Sequence, residues 1–181
     1  TLGRANGLSQ LFDALALLPE KVLAMLEVVI VGSGNEEEEV KEKAVSFSNV
    51  SFHTSCTRAQ ISDWLAKADI GVSMFAPFPD LESNGATKFF DYLAAGIPVL
   101  INYQGWQSEY LQEHKCGLAS KQGDLKAFTE NLAELVENVE MREVMSRNAR
   151  KLAQDTFDRD LLAGRMLSLF HSTLKESLIA Q

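Results

Sequence analysis

The sequence predicts an α/β domain, a parallel sheet with helices on both faces, closed by a helical tail. Three observations carry this expectation. Short, unbroken apolar runs alternate with amphipathic stretches of helical length over residues 1–121. The junction Gly96-Ile97-Pro98-Val99 ends a helix on glycine and opens a strand with proline. From residue 122 onward only helical spacing remains. Strands that alternate with helices of this length form βαβ crossovers; the resulting parallel strands are buried on both faces and read as continuous hydrophobic runs.

Taken in order, the strands are expected at Val28–Val31, Val50–His53, Ile70–Phe75, Ile97–Ile101 and Gly117–Ala119. Helices are expected at 7–18, 36–46, 58–67, 86–95 and 106–114. In the tail, Leu125, Phe128, Leu132, Leu135 and Val136 share one helix face, and Met141, Val144, Met145 and Leu152 share another. A third helix, near 158–178, carries Leu161, Leu162, Met166, Leu169 and Phe170, an apolar face able to cover something beyond this chain. The run Glu36–Glu39 reads as acidic residues in a helix's first turn, favoured there by the helix dipole.

The 181 residues are 46% hydrophobic and 23% charged, a composition that excludes disorder and permits a substantial core. A net charge of -8 argues against a protein that grips nucleic acid, because that task selects a basic surface. Cys56 and Cys116 stand far apart without metal-ligand spacing, so no disulfide framework or zinc site is suggested and a reducing cytoplasm is expected. No apolar run reaches the ~18 residues of a membrane-spanning helix, and the first residues lack a signal-peptide layout. The sequence opens at Thr1, inside a glycine-containing turn with no strand ahead of it. An excised piece is therefore expected, its first strand lost just before Thr1.

Three glycine-bearing loops fall where strands meet helices: Gly3–Gly7, Gly32–Asn35 and Ser83–Thr87. Such connections lie at the carboxyl ends of parallel strands, where helix N-termini offer unpaired amides to anions. Glycine also simply makes tight turns there. The Gly32 loop resembles half of a dinucleotide fingerprint, yet it lacks the GxGxxG spacing and an acidic residue at the end of the next strand, which argues against NAD. The most informative stretch runs from Thr87 to Leu100. Lys88 and Asp91, three apart, share a helix face, and a cation in a first turn opposes the helix dipole unless an anion is bound there. A surface lysine without a role fits the physics equally well.

These residues carry a resemblance. Asn6-Gly7-Leu8, Val29 to Gly34, Asn49 to Phe52, Ala68 to Val72, Phe90 to Val99, and Gly105 to Glu109 before Cys116-Gly117-Leu118 stand in the order and at the spacing of one family. Together they resemble the C-terminal, donor-binding domain of GT-B glycosyltransferases of family 4, over nearly the whole chain. The resemblance implies a Rossmann-like half of a GT-B fold, with residues 1–181 as a single donor-binding domain and the N-terminal acceptor domain absent. It also implies sugar transfer from a nucleoside diphosphate sugar to a saccharide or lipid-linked acceptor, with retention, no metal and no cofactor, in bacterial polysaccharide or glycolipid synthesis. By the same resemblance Gly3, Arg4, Asn6, Gly7, Ala86, Thr87 and Lys88 are the diphosphate-binding residues, and Asp91, in place of the more usual Glu, is the ribose carboxylate. Glu82, Ser83, Asn84 and Gly85 would face the donor sugar, His53 the nucleobase, and the main catalytic residues would lie in the absent domain. This fragment alone should then bind without turning over.

The chain departs from the family at Thr1 and Asn6, where Arg and Lys are usual, so Arg4 or Lys88 would have to replace them, and at Ser83, where a first Glu is usual. His53 is equally a satisfied loop histidine; His114 and His171 read as surface, Trp64 and Trp106 as packing, and Glu109 as solvent-facing or near the donor. A nucleotide-sugar epimerase half-domain and a non-catalytic α/β nucleotide-binding module are the competing readings. No membrane contact is evident, although the parent enzyme could work at the inner face of a membrane.

Overall fold

A computed structural model describes residues 1–179, without the side chains of Pro79, Glu82 and 174–179. Five strands form among the described residues: β1 (Val28–Val31), β2 (Val50–His53), β3 (Gly71–Ser73), β4 (Val99–Ile101) and β5 (Gly117–Ala119). All pairings are parallel, with Val28 opposite Val50, Gly71 opposite Val99, and Val99 opposite Gly117. The expected single sheet is two ladders, β1–β2 and β3–β4–β5, with no hydrogen-bonded pairing of β1 to β3. The opening residues span the two at their carboxyl ends. Leu2 N–H donates to the Ser33 carbonyl at 2.9 Å and Ala76 N–H to the Ala5 carbonyl at 2.9 Å.

The helices that position the site are α1 (Ser9–Leu17), the short α2 (Glu20–Leu23), α3 (Glu37–Ala44), α4 (Arg58–Leu65), α5 (Thr87–Ala95) and α6 (Trp106–His114). The tail adds α7 (Leu125–Glu137), α8 (Val139–Thr156) and α9 (Arg159–Ile179). Side chains of a strand alternate between faces. In β4, accordingly, Leu100 packs with α1 and α7, whereas Val99 and Ile101 pack with α5, α6 and α8; all three are fully buried. Glycine at the first position of β3 is imposed by packing, since a Cβ on Gly71 would collide with Cγ of the Tyr92 ring of α5. Tyr92 in turn donates its hydroxyl to the Val72 carbonyl at 3.1 Å, tying α5 to the sheet.

Phe128, Leu132, Leu135 and Val136 bury the face of α7 foreseen from its spacing. Leu135 is fully buried, so Leu135→Ala is expected to lower stability by about 2–5 kcal/mol through lost transfer energy and a residual cavity, read as a reduced urea midpoint. In α9, Leu161, Leu162, Met166, Leu167, Leu169 and Phe170 are exposed. No helix among the described residues is long and apolar enough to cross a membrane.

Candidate functional site

The site begins with a turn. Arg4–Asn6 form one turn of 3-10 helix, closed by Asn6 N–H to the Gly3 carbonyl at 2.8 Å. Gly7 then takes a left-handed conformation, φ 55°, and lies so close to the exit of β3 that a Cβ on it would stand 2.7 Å from the Ala76 nitrogen. The chain can make this approach only with glycine.

Opposite the turn stands the start of α5. Its N-cap is Ala86, and no side chain caps it; Phe89 N–H bonds the Ala86 carbonyl at 3.0 Å, and the Thr87 and Lys88 amides are left to solvent or a ligand. Lys88 is half-buried and carries no carboxylate partner among the described residues. Its ammonium donates instead to Asn6 Oδ1 at 3.3 Å, bridging 82 residues of sequence. Burial pushes the Lys88 pKa down, because taking the ammonium out of water disfavours its charged form. Lys88 and Asp91 share the helix face predicted for them, yet they make no ion pair.

The exit of β3 holds the two walls together. Asn102, just past β4 and 3% exposed, accepts from Phe75 N–H at 2.8 Å and donates to the Phe75 carbonyl at 2.9 Å. Its side chain thereby continues the ladder where the backbone of β4 has turned away. Ser73, Tyr103 and Gln107 form a second buried chain beneath, with Tyr103 hydroxyl donating to Gln107 Oε1 at 2.7 Å.

The expected site residues separate into groups. Gly3, Arg4, Asn6 and Gly7 form one turn, and the Lys88–Asn6 bond joins it to Ala86, Thr87 and Lys88. Arg4 is exposed and Asp91 half-buried on α5. Ser83, Asn84 and Gly85 are exposed ahead of α5, and Gly85 lies against the Trp106 indole. The Glu82 side chain is outside the described residues. His53 ends β2 with its ring packed on Trp64, centroids 4.7 Å apart, and no contact ties it to the turn. The Gly32 loop is filled from within: Leu2 N–H donates to the Ser33 carbonyl, and Glu36 N–H, at the start of α3, donates to the Leu2 carbonyl at 3.3 Å. That loop serves packing. Asn102 and the segment after β3 escaped sequence reasoning; a polar residue directly after a fully buried strand is the one signal that pointed to them.

A glycine-bearing turn joined through Asn6 to a desolvated cation at the uncapped start of α5 forms an arrangement suited to a phosphate-bearing ligand. A family model described as glycosyl transferases group 1 matches residues 1–152, and the chain belongs to that family. A search of curated proteins returns no match. Among solved structures, sucrose-phosphate synthase from Thermosynechococcus elongatus shares the fold at TM-score 0.77 and 18% identity, over 96% of this chain and 44% of its own. HepE of Anabaena, solved with UDP-glucose, matches at TM-score 0.77 and 18% identity, over 94% of this chain and 46% of its own. WaaG, a glycosyltransferase of lipopolysaccharide biosynthesis, matches at TM-score 0.70 and 22% identity, over 84% of this chain and 40% of its own. The chain thus spans less than half the length of these structures. The fold they share is the GT-B glycosyltransferase domain expected from the sequence.

Proposed function

We propose that this chain is the donor-binding domain of a glycosyltransferase that moves a sugar, with retention, from a nucleoside diphosphate sugar to a saccharide or lipid-linked acceptor held by a separate N-terminal domain. Cytoplasmic synthesis of a bacterial polysaccharide or glycolipid is the setting this reading favours. Family membership sets sugar transfer ahead of the epimerase and non-catalytic readings. The observation that carries the donor assignment is the half-buried Lys88 ammonium, which meets only the neutral Asn6 amide among the described residues. A cation so placed calls for an anion, and a diphosphate set between the Gly3–Gly7 turn and the uncapped amides of α5 supplies one.

In this reading the domain works by electrostatics. As the sugar leaves, charge grows on the departing diphosphate, and the α5 amides, Lys88 and Arg4 stabilise it without reorganising. Loss of one such donor slows transfer by about 100- to 1,000-fold. The Asp91 carboxylate accepts hydrogen bonds from the two ribose hydroxyls, and the base is assigned to His53, whose ring packs on Trp64. No metal is required, because the cations of the site supply the counter-charge.

Calorimetric titration with UDP, GDP and ADP in chelator tests the assignment. One nucleotide should bind saturably, and Asp91→Ala should weaken it by about tenfold or more, the worth of one charge-assisted hydrogen bond. Absence of saturable binding by all three would remove the donor reading.

A further inference from the structure

We propose that Gln122 is a positioning residue of this site, holding the segment Phe75–Phe78 as a strap that sets the spacing between the opening turn and α5. Its consequence for ligand binding rests on the donor reading; its structural part does not. The strap leaves β3 with both polar groups of Phe75 engaged by Asn102. Its next amide, Ala76 N–H, donates to the Ala5 carbonyl, so the strap lies directly on the Gly3–Gly7 turn. Phe78 N–H then turns back to the Ala76 carbonyl at 2.7 Å, and the chain proceeds to α5 and Lys88.

At that bend the strap depends on a distant residue. Gln122, in the turn between β5 and α7, donates from one Nε2 to the Ala76 carbonyl at 2.9 Å and to the Phe78 carbonyl at 3.2 Å. One side-chain amide thereby satisfies two carbonyls of a loop 44–46 residues earlier. The Phe78 carbonyl also accepts from Leu81 N–H at 2.9 Å, and the Ala76 carbonyl from Phe78 N–H, so among the described residues Gln122 is the long-range partner that these two carbonyls share. Ala76 is thus fixed from both sides, by Ala5 through its N–H and by Gln122 through its carbonyl. Release of the carbonyl side frees the strap to move away from the turn, and the stretch leading to Lys88 moves with it.

Three variants separate this role from a general loss of fold. Gln122→Glu keeps the shape but turns a donor into a carboxylate facing two carbonyls; Gln122→Met removes the donor alone; Lys121→Ala alters the exposed neighbour. Amide hydrogen exchange at Ala76 and Phe78 should accelerate by about tenfold or more in the Glu variant and by less in the Met variant, as expected for loss of about one hydrogen bond, and should hold at the parent rate in Lys121→Ala. The amides of β4 should be unaffected in all three. UDP, GDP or ADP, whichever the parent binds, should bind about tenfold more weakly to the Glu variant. Parent-like exchange at Ala76 and Phe78 in the Glu variant would overturn the strap, and faster exchange with unchanged nucleotide affinity would overturn its positioning role. If the parent binds none of the three, the donor reading falls, and the exchange rates alone decide whether Gln122 holds the strap.

Discussion

Lys88→Met is expected to abolish most nucleotide affinity while making the free chain more stable. Burial lowers the Lys88 pKa, so the folded chain holds this proton less tightly than the unfolded chain does. Between the lowered value and the ordinary 10.5 the unfolded state binds more protons, so stability rises with pH across that interval. Below the interval both states are charged, and the folded state bears the full desolvation penalty at neutral pH. A methionine of similar length fills the same space without that penalty. The expected gain is up to about 1 kcal/mol, or ~2–4 °C in Tm for a chain of this size. Affinity for the diphosphate should fall by about 10- to 150-fold, the worth of one charge-assisted hydrogen bond. Thermal melts at pH 7 with and without nucleotide measure both. A lower Tm for the variant would show that the bond to Asn6 outweighs the burial of the charge.

Gly7→Ala should be the most damaging single methyl group in the opening turn. The residue sits at φ 55°, where an L side chain costs about 1–2 kcal/mol, and the added carbon would stand 2.7 Å from the Ala76 nitrogen and 2.9 Å from its Cα. Both obstacles are backbone, so no rotamer change relieves them. The strap must move, which breaks Ala76 N–H to Ala5 and brings the expected total to about 3 kcal/mol or more. Gly3→Ala is the control: its backbone is extended, at φ -154°, and a Cβ there meets nothing within 4 Å. Urea midpoints should separate the two substitutions widely, and equal midpoints would contradict the tight approach of turn and strap.

Sequence reasoning located every strand and the main helices to within a few residues, because each element announces itself locally. Gly96 ends α5 in the left-handed conformation as foreseen, and Pro98, which has no N–H to give, stands just ahead of β4. The expected strand Ile70–Phe75 shrinks to Gly71–Ser73, since past Ser73 its partner is a side chain, that of Asn102. The division into two ladders was not legible, because periodicity tells which residues form strands and says nothing about which edges meet. At the site, the spacing placed Lys88 near Asp91, whereas the ammonium reaches Asn6 across the fold. Gln122 was invisible, and Asn102 was marked only by its place after a buried strand, for the same reason: a side-chain amide that serves a backbone far away in sequence leaves no repeat, charge run or glycine to mark it.

The two cysteines differ in a way that matters at the bench. Cys116, at the foot of β5, is fully buried, and its thiol is pushed up to about 12 by desolvation. Cys56 is partly accessible, on the loop that carries the chain from β2 to α4. Alkylation requires both access and thiolate, so an iodoacetamide or maleimide reagent meets one competent sulfur in the native chain. A fluorophore attached there would sit on the loop just beyond His53 without any residue having been changed.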